Sequence, residues 1–480
     1  MNKITSDKPF IKLFKSPRCY YVYSVNRDSI MPISKNIYEY LDGKLTMSSL
    51  SDDDIKLIQS LESNGFLSKK RFSRICHADT DNLENLLENN IHHMVLQVTQ
   101  SCNLTCSYCP YANNTNGELQ RNHANKHMNF DIAKKAIDYL IDHSSNENEL
   151  TISFYGGEPL IKFDLIKSIV SYVKKVAIGK RIEFNMTTNG TLMNDEIIDY
   201  LVDNSFEVFF SIDGPSKIHD VNRKNRDGSG SFNVAFSNLK KMIEKYGDED
   251  LHHVSINMVF DPNNNFDDVL ELFGDPIFSR NINVLASMAD DLQLEKSIVA
   301  TSDYLQKINY LYFLGALDFL KIVKGLSIPS FVRSAFAYSE KTCTLMRDTT
   351  KELPEYGAPG GPCVPGVRRI FVTADGTFYP CEKVNEMSVA MKIGDIETGI
   401  NIEKAKSILN IAQLTPEKCR NCWALLRCQT CGRMADDGKE LSSTLKNKYC
   451  YKTFSYMDDL LKDFALINEC KTVYKRGDIL

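Results

Sequence analysis

Six times between residues 92 and 320 a short apolar run is followed by an amphipathic stretch, and this alternation limits the fold more than any other feature of the chain. The runs are HMVLQVT, LTISFYG, IEFNMTT, VFFSID, VSINMVF and INVLA. Between them, segments such as Phe130 to Ile141 and Phe163 to Val173 repeat apolar residues at intervals of three and four, the period of a helix with one buried face. Strands joined by such crossovers pair in parallel and carry their helices outside. The pattern predicts an α/β domain, either a doubly wound sheet or a partial barrel. In both, ligands collect at the C-terminal ends of the strands.

The 480 residues leave room for further domains. Residues 8 to 75 begin with the runs PFIKLF, CYYVYSV and SIMPIS, which read as a three-stranded meander, followed by helices over NIYEYLDG and SDDDIKLIQSLESNGFL. Ser51 suits the start of the second helix and Gly65 its end. After a helical stretch near Asp303 to Val323, SEKTCTLMRDTTKELPEYGAPGGPC reads as loop, and KTFSYMDDLLKDFALI near the C-terminus reads as a helix. The expected division is 1-85, 92-325, 326-455 and a final helix over 456-480. No run approaches the ~18 apolar residues of a membrane span, and the first residues lack the apolar core of a secretory signal. A cytoplasmic location is therefore expected. A net charge of -5 gives no general basic field, so neither nucleic acid nor a membrane is an expected partner.

Fourteen cysteines are many for a chain read as cytoplasmic, where reducing conditions discourage disulfides, so metal chemistry is the better reading. Three lie within Cys102 to Cys109 and seven between Cys363 and Cys450, while Cys19, Cys76, Cys343 and Cys470 stand apart. The triplet Cys102-x3-Cys106-x2-Cys109 follows the first strand of the repeating domain. Such a loop can wrap a four-iron four-sulfur cluster, ligating three irons and leaving the fourth open. On spacing alone, a zinc site or a fully ligated electron-transfer cluster remains open.

The surrounding motifs resemble the radical S-adenosylmethionine (SAM) superfamily, whose signature is this cysteine spacing after the first strand of a partial (β/α)6 barrel. Phe154-Tyr155-Gly156-Gly157-Glu158-Pro159 resembles the family's glycine-rich loop, and glycines there permit close backbone approach. Thr188 and Asn189 at the third strand end, and Ser211 and Asp213 at the fourth, match positions lining the ribose and carboxylate side of SAM. Arg223 is a candidate partner for the SAM carboxylate. The resemblance thus implies SAM contacts from Tyr155, Gly156, Gly157, Glu158, Thr188, Asn189, Ser211, Asp213 and Arg223. The hard step would be supplied by a 5'-deoxyadenosyl radical.

The later cysteines resemble the SPASM extension of radical SAM enzymes that modify peptides, which carries two auxiliary clusters. By that resemblance Cys363, Cys381 and Cys431 hold the first and Cys419, Cys422, Cys428 and Cys450 the second, for three four-iron four-sulfur clusters in all. The family usually has three residues between the cysteines corresponding to Cys428 and Cys431, and this chain has two. Asp375-Gly376 reads as a hairpin turn that brings Cys363 toward Cys381. The fourth ligand of the first cluster is either Cys343 or a substrate thiolate. A zinc ribbon is the alternative for the whole array.

The N-terminal module resembles the small winged-helix-like element that binds leader peptides along a strand edge in maturases of ribosomally made peptides. GPCVPGVRRIFV and HMVLQVTQSCNLTCSYCPY look most like thioether-forming maturases of the sactipeptide and ranthipeptide type. The expected activity is an oxidative link between a cysteine sulfur and a carbon of another residue in a Cys-rich precursor. The partners are that precursor and a flavodoxin- or ferredoxin-type electron donor. Two alternatives stand beside it: formylglycine formation or carbon-carbon linking by a related enzyme, and a non-enzymatic iron-sulfur or zinc protein that carries electrons or binds peptides.

Overall fold

A computed structural model describes residues 7–111, 122–280, 282–289, 292 and 299–475. Three short strands, β1 (Ile11–Lys15), β2 (Tyr20–Ser24) and β3 (Ser29–Ile33), form an antiparallel meander. Alternation sends Val22 and Ile33 to one face, where they pack on Ile37, Ile58 and Leu61 of the two following helices. Helix Asp52–Ser63 starts where expected, with the Ser51 side chain accepting the Asp54 N–H, and Gly65 follows its end at φ 77°. The opposite face of the meander is also buried. Tyr21, Tyr23 and Ile30 pack against Leu460, Phe464 and the loop holding Cys419 and Leu425.

The repeating domain contributes six parallel strands: β4 (His93–Thr99), β5 (Glu149–Gly156), β6 (Arg181–Thr188), β7 (Glu207–Ser211), β8 (Val254–Phe260) and β9 (Asn283–Met288). Their spatial order is their chain order, with no reversal. A doubly wound sheet reverses at a switch point, so the arrangement is the partial barrel. Each strand is two-faced. Met94, Leu96, Ile152, Phe154, Phe184, Met186, Val208, Phe210 and Ile256 join the core formed with the outer helices. Among the intervening residues, His93, Ser153, Tyr155, Asn185, Thr187 and Asn257 line an inner cavity. The lumen lining thus mixes these polar groups with Val95, Phe209 and Leu285, whereas the outside of the sheet is apolar.

The sheet does not end with this domain. β10 (Ile370–Val372) pairs parallel with β4, Ile370 beside Met94, and β11 (Thr377–Tyr379), β12 (Gly394–Asp395) and β13 (Gly399–Ile400) extend it antiparallel to ten strands. The β10–β11 turn lies at Asp375-Gly376, where Gly376 has φ 85° and its N–H donates to Thr373 O at 2.9 Å.

Part of the segment read as loop is helical: Ser330–Leu345 is one helix with Phe331, Val332, Phe336 and Cys343 buried. The Pro and Gly that suggested a loop begin only at Pro354, beyond the helix end. A second helix, Cys450–Lys475, includes the C-terminal stretch read from the sequence and starts at the last clustered cysteine. Among the described residues no helix is long and apolar enough to cross a membrane.

Candidate active site

β4 ends in an irregularity between Gln97 and Thr99, and the chain turns over the C-terminal rim of the barrel into the cysteine loop. Cys102, Cys106 and Cys109 pack together around Leu104. Burial pushes the Cys102 thiol up to about 12 and the Cys106 thiol up to about 11. Left alone these would be neutral thiols; a bound metal cation would favour the ligating thiolate.

The loop is pinned from two sides. Thr105 N donates to Lys224 O at 2.8 Å and Ser107 N to Asn222 O at 3.0 Å, while the Arg226 guanidinium donates to the Cys102 carbonyl at 2.7 and 3.2 Å. On the other side stands the glycine-rich turn after β5. Gly157 N donates to Thr99 O and Glu158 N to Ser101 O, both at 2.9 Å. The approach is so close that a Cβ on Gly156 would stand 1.9 Å from Thr99 O, and one on Gly157 would stand 2.2 Å from Ser101 O. Gly156 also has φ 139°, which side chains disfavour. Ligand approach explains the glycines from sequence; the structure adds that they let the turn seat against the cysteine loop.

Glu158 ties this turn to the next strand. Its buried carboxylate accepts from Thr188 Oγ1 at 2.7 Å, Asn189 N at 2.8 Å and Leu160 N at 3.2 Å. Burial raises its pKa to about 7 against the pull of those donors. Asn189 in turn lies 3.9 Å from Cys102 Sγ through Nδ2 and accepts from Thr191 N at 2.9 Å.

At the fourth strand end, Asp213 accepts from the Tyr108 hydroxyl, from Arg223 Nε at 2.8 Å and from Val259 N at 3.1 Å. Arg223 is thus the ion-pair partner of Asp213, rather than an unengaged guanidinium, and its charge also faces Cys106. Burial opposes that charge, yet Asp213 and the neighbouring Tyr108 and Cys106 hold the Arg223 pKa well above its usual value. His219 completes the brace: its Nδ1 accepts from Asp213 N at 3.4 Å and its Nε2 lies 3.0 Å from Ser231 Oγ. Ser211 is buried near the top of β7, with Asn257 beside it on β8. Tyr108, Asn222 and Arg226 were not singled out from the sequence; their partners are distant carbonyls and carboxylates, which no local motif announces.

Cys419, Cys422, Cys428 and Cys450 line one cavity of about 240 Å³. Cys363 and Cys381 both lie within electrostatic reach of Cys431, so Cys428 and Cys431 join different groups despite their shortened spacing. Cys381 follows β11, and its neighbours Glu382 and Lys383 line the floor of the lumen with Arg369, which donates to both Glu382 carboxylate oxygens at 2.7 and 2.8 Å. That lumen cavity has a volume of about 270 Å³. The strand pairing puts Arg369 at the N-terminal end of β4, so the Cys381 group and the Cys102 loop lie at opposite ends of the barrel, roughly 20 Å apart at the usual rise per residue. Cys343 does not join the Cys381 group. It is fully buried with Tyr23, Met346 and Leu461, and its charged neighbours are Asp463, Arg347, Glu340 and Arg427.

Tetrahedral zinc with Zn–S near 2.3 Å draws its sulfurs to about 3.8 Å from one another. Among the described residues no three cysteine sulfurs lie mutually within 4.8 Å.

A parallel partial barrel with a three-cysteine loop at its first strand defines a radical SAM fold, and residues 96–275 match the sequence profile of the Radical SAM superfamily. An uncharacterized protein of Methanocaldococcus jannaschii is 41% identical over 139 residues, covering 29% of this chain and 44% of that protein. A serine-type anaerobic sulfatase-maturating enzyme of Bacteroides thetaiotaomicron is 33% identical over 33% of this chain and 38% of its own length. The chain therefore spans less than half the length of these two relatives. A cysteine-type anaerobic sulfatase-maturating enzyme of Clostridium novyi is 24% identical over 75% of this chain and 93% of that enzyme. The solved structure of native anSMEcpe with bound AdoMet superposes with a TM-score of 0.57 at 23% identity, over 79% of this chain and 99% of that one. Residues 96–275 are thus similar to the Radical SAM superfamily, and the chain is similar over most of its length to an anaerobic sulfatase-maturating enzyme.

Proposed function

We propose that this protein is a radical SAM peptide maturase that joins a cysteine sulfur of a precursor peptide to a carbon of another residue. The observation that carries the reading is that Cys431 lies within electrostatic reach of both Cys363 and Cys381, next to the lumen-lining Glu382 and Lys383, while Cys343 is buried elsewhere with Tyr23, Met346 and Leu461. Three thiolates leave one corner of a four-iron cluster without a protein ligand, and a substrate thiolate is suited to fill it. Cys102, Cys106 and Cys109 would hold the SAM cluster, and Cys419, Cys422, Cys428 and Cys450 the remaining one. The bound cluster with SAM supplies one-electron cleavage of a sulfonium bond.

The protein's own residues do the positioning. Gly156 and Gly157 seat the loop, Glu158 fixes Thr188 and Asn189 beside it, and Asp213 orients Arg223 near Cys106. Tyr155, Thr188, Asn189 and Ser211 present polar groups for SAM at successive strand ends. The lumen, with Ser153, Asn185 and Asn257, offers hydrogen bonds to a peptide segment while the barrel wall limits water. The meander β1–β3 has two strand edges for leader addition, of which β3 already receives one bond, Ile30 N to Met346 O at 3.1 Å. Overall, one S–H and one C–H bond give way to one C–S bond. SAM is the oxidant, and 5'-deoxyadenosine, methionine and a proton are released.

The names of the homologous maturases favour a second reading, oxidation of a protein Cys or Ser to formylglycine. Anaerobically reconstituted enzyme, SAM, a reductant and a Cys-rich precursor peptide separate the two. A product lighter by two hydrogens per link and closed to thiol alkylation supports the thioether. An aldehyde that reacts with hydrazines, or an unlinked product that still alkylates, overturns it.

A further inference from the structure

Lys446 is the one buried lysine among the described residues, 2% exposed, and no carboxylate among them pairs with it. Its ammonium donates to Thr415 Oγ1 at 2.5 Å and to Cys419 Sγ at 3.1 Å, and it lines the four-cysteine cavity. A lysine is almost never fully buried without a partner, because removing an ammonium from water is costly unless an opposite charge replaces the lost hydration. The counter-charge here has to come from whatever occupies the cavity. The neighbouring sulfur is equally well supplied with hydroxyls: Cys428 Sγ lies 3.2 Å from Thr430 Oγ1 and 3.3 Å from Thr453 Oγ1, both threonines buried. Once Cys428 is a thiolate, both hydroxyls are left to donate.

We propose that Lys446 is a positioning residue for the cluster held by Cys419, Cys422, Cys428 and Cys450, fixing its reduction potential at a raised value through one buried positive charge on Cys419. The inference rests on the reading above that these four cysteines hold a cluster. Hydrogen bonds to cluster sulfurs and local charge are established controls of such potentials. Reduction adds a negative charge, and an ammonium 3.1 Å from a ligand sulfur stabilises that added charge more than it stabilises the oxidised form. At the lumen floor, Cys381 has Glu382, itself paired with Arg369, beside it, and Cys431 has Lys383.

The test is an EPR-monitored redox titration of the full chain, with iron counted in each preparation. Cys422→Ala first examines the underlying reading: it should remove about four irons of about twelve, and unchanged iron content would mean that this cavity holds no cluster. With the cluster established, Lys446→Gln should retain its iron and lower the reduced-to-oxidised ratio of that one cluster at fixed potential at least tenfold, a shift of about 59 mV for one electron. Lys446→Arg, which keeps the charge, should restore it. Loss of this cluster in Lys446→Gln with retention in Lys446→Arg also supports the counter-charge role. An unchanged midpoint in Lys446→Gln, or equal loss from both variants, overturns it.

Discussion

Replacing Gly157 with alanine tests how the site is built. The added Cβ would stand 2.2 Å from Ser101 O, 2.5 Å from Ser101 C and 2.7 Å from Gln100 O, all backbone atoms, where real contacts start near 3.0 Å. The segment just before Cys102 therefore has to retreat by close to 1 Å, since no flexible side chain is there to yield. Overpacking of this kind costs about 1–3 kcal/mol. The retreat also strains the bonds from Gly157 N to Thr99 O and Glu158 N to Ser101 O, each worth about 1 kcal/mol. A total destabilisation of about 2–4 kcal/mol follows, concentrated at the cysteine loop. The assay is iron content with thermal unfolding under anaerobic conditions, using Gly274→Ala as control because its added carbon meets nothing within 4 Å. Gly157→Ala should lose about a third of the bound iron and unfold earlier, while the control keeps both. Full iron and an unchanged melting temperature in Gly157→Ala would refute the argument that the glycines serve the loop.

Asp213→Ala leaves Arg223 buried without its partner and should cost about 3–5 kcal/mol in denaturant unfolding, with Asp213→Asn costing less. Burial lowers the His219 pKa to about 4, with Arg223 adding to the effect. A folded pKa below the unfolded value of about 6.5 means the unfolded chain binds the extra proton first, so this contribution is full above about pH 6.5 and fades as pH falls toward 4. His219→Gln should flatten the acid limb of a stability-against-pH curve in that window, and an unaltered limb would contradict the assignment. Trp423 sits edge-on to Tyr23 at 6.3 Å and stacks on Phe454 at 5.9 Å, joining the meander to the cysteine loop. Trp423→Ala should cost about 3 kcal/mol and expose the N-terminal module to limited proteolysis while the barrel resists.

The six barrel strands were legible because each carries a local signal: an apolar run, a turn residue at its end and an amphipathic helix behind it. The same holds for Ser51, Gly65 and the Asp375-Gly376 turn, whose chemistry is set within four residues. What escaped was non-local. β10 joins β4 from a distant part of the chain, and β12 and β13 are two residues each, too short to show a period. Helix Ser330–Leu345 was hidden by a Pro-rich neighbour. At the site, the motifs put polar residues at strand ends, but the bonds these residues make were not visible in them: Arg223 is engaged by Asp213, and Glu158 by Thr188 and Asn189. Lys446 gave no signal at all, since a lysine four residues before a cysteine is ordinarily a solvated one.

The central claim is that Cys102, Cys106 and Cys109 hold a cluster able to cleave SAM, and the most direct measurement is 5'-deoxyadenosine formed by the anaerobically reconstituted protein with SAM and dithionite. The native chain should form 5'-deoxyadenosine and Cys102→Ala/Cys106→Ala/Cys109→Ala none, while this variant keeps the irons of the other cysteine groups. An iron-replete native chain that forms no 5'-deoxyadenosine, or a triple variant that still forms it, would contradict the account.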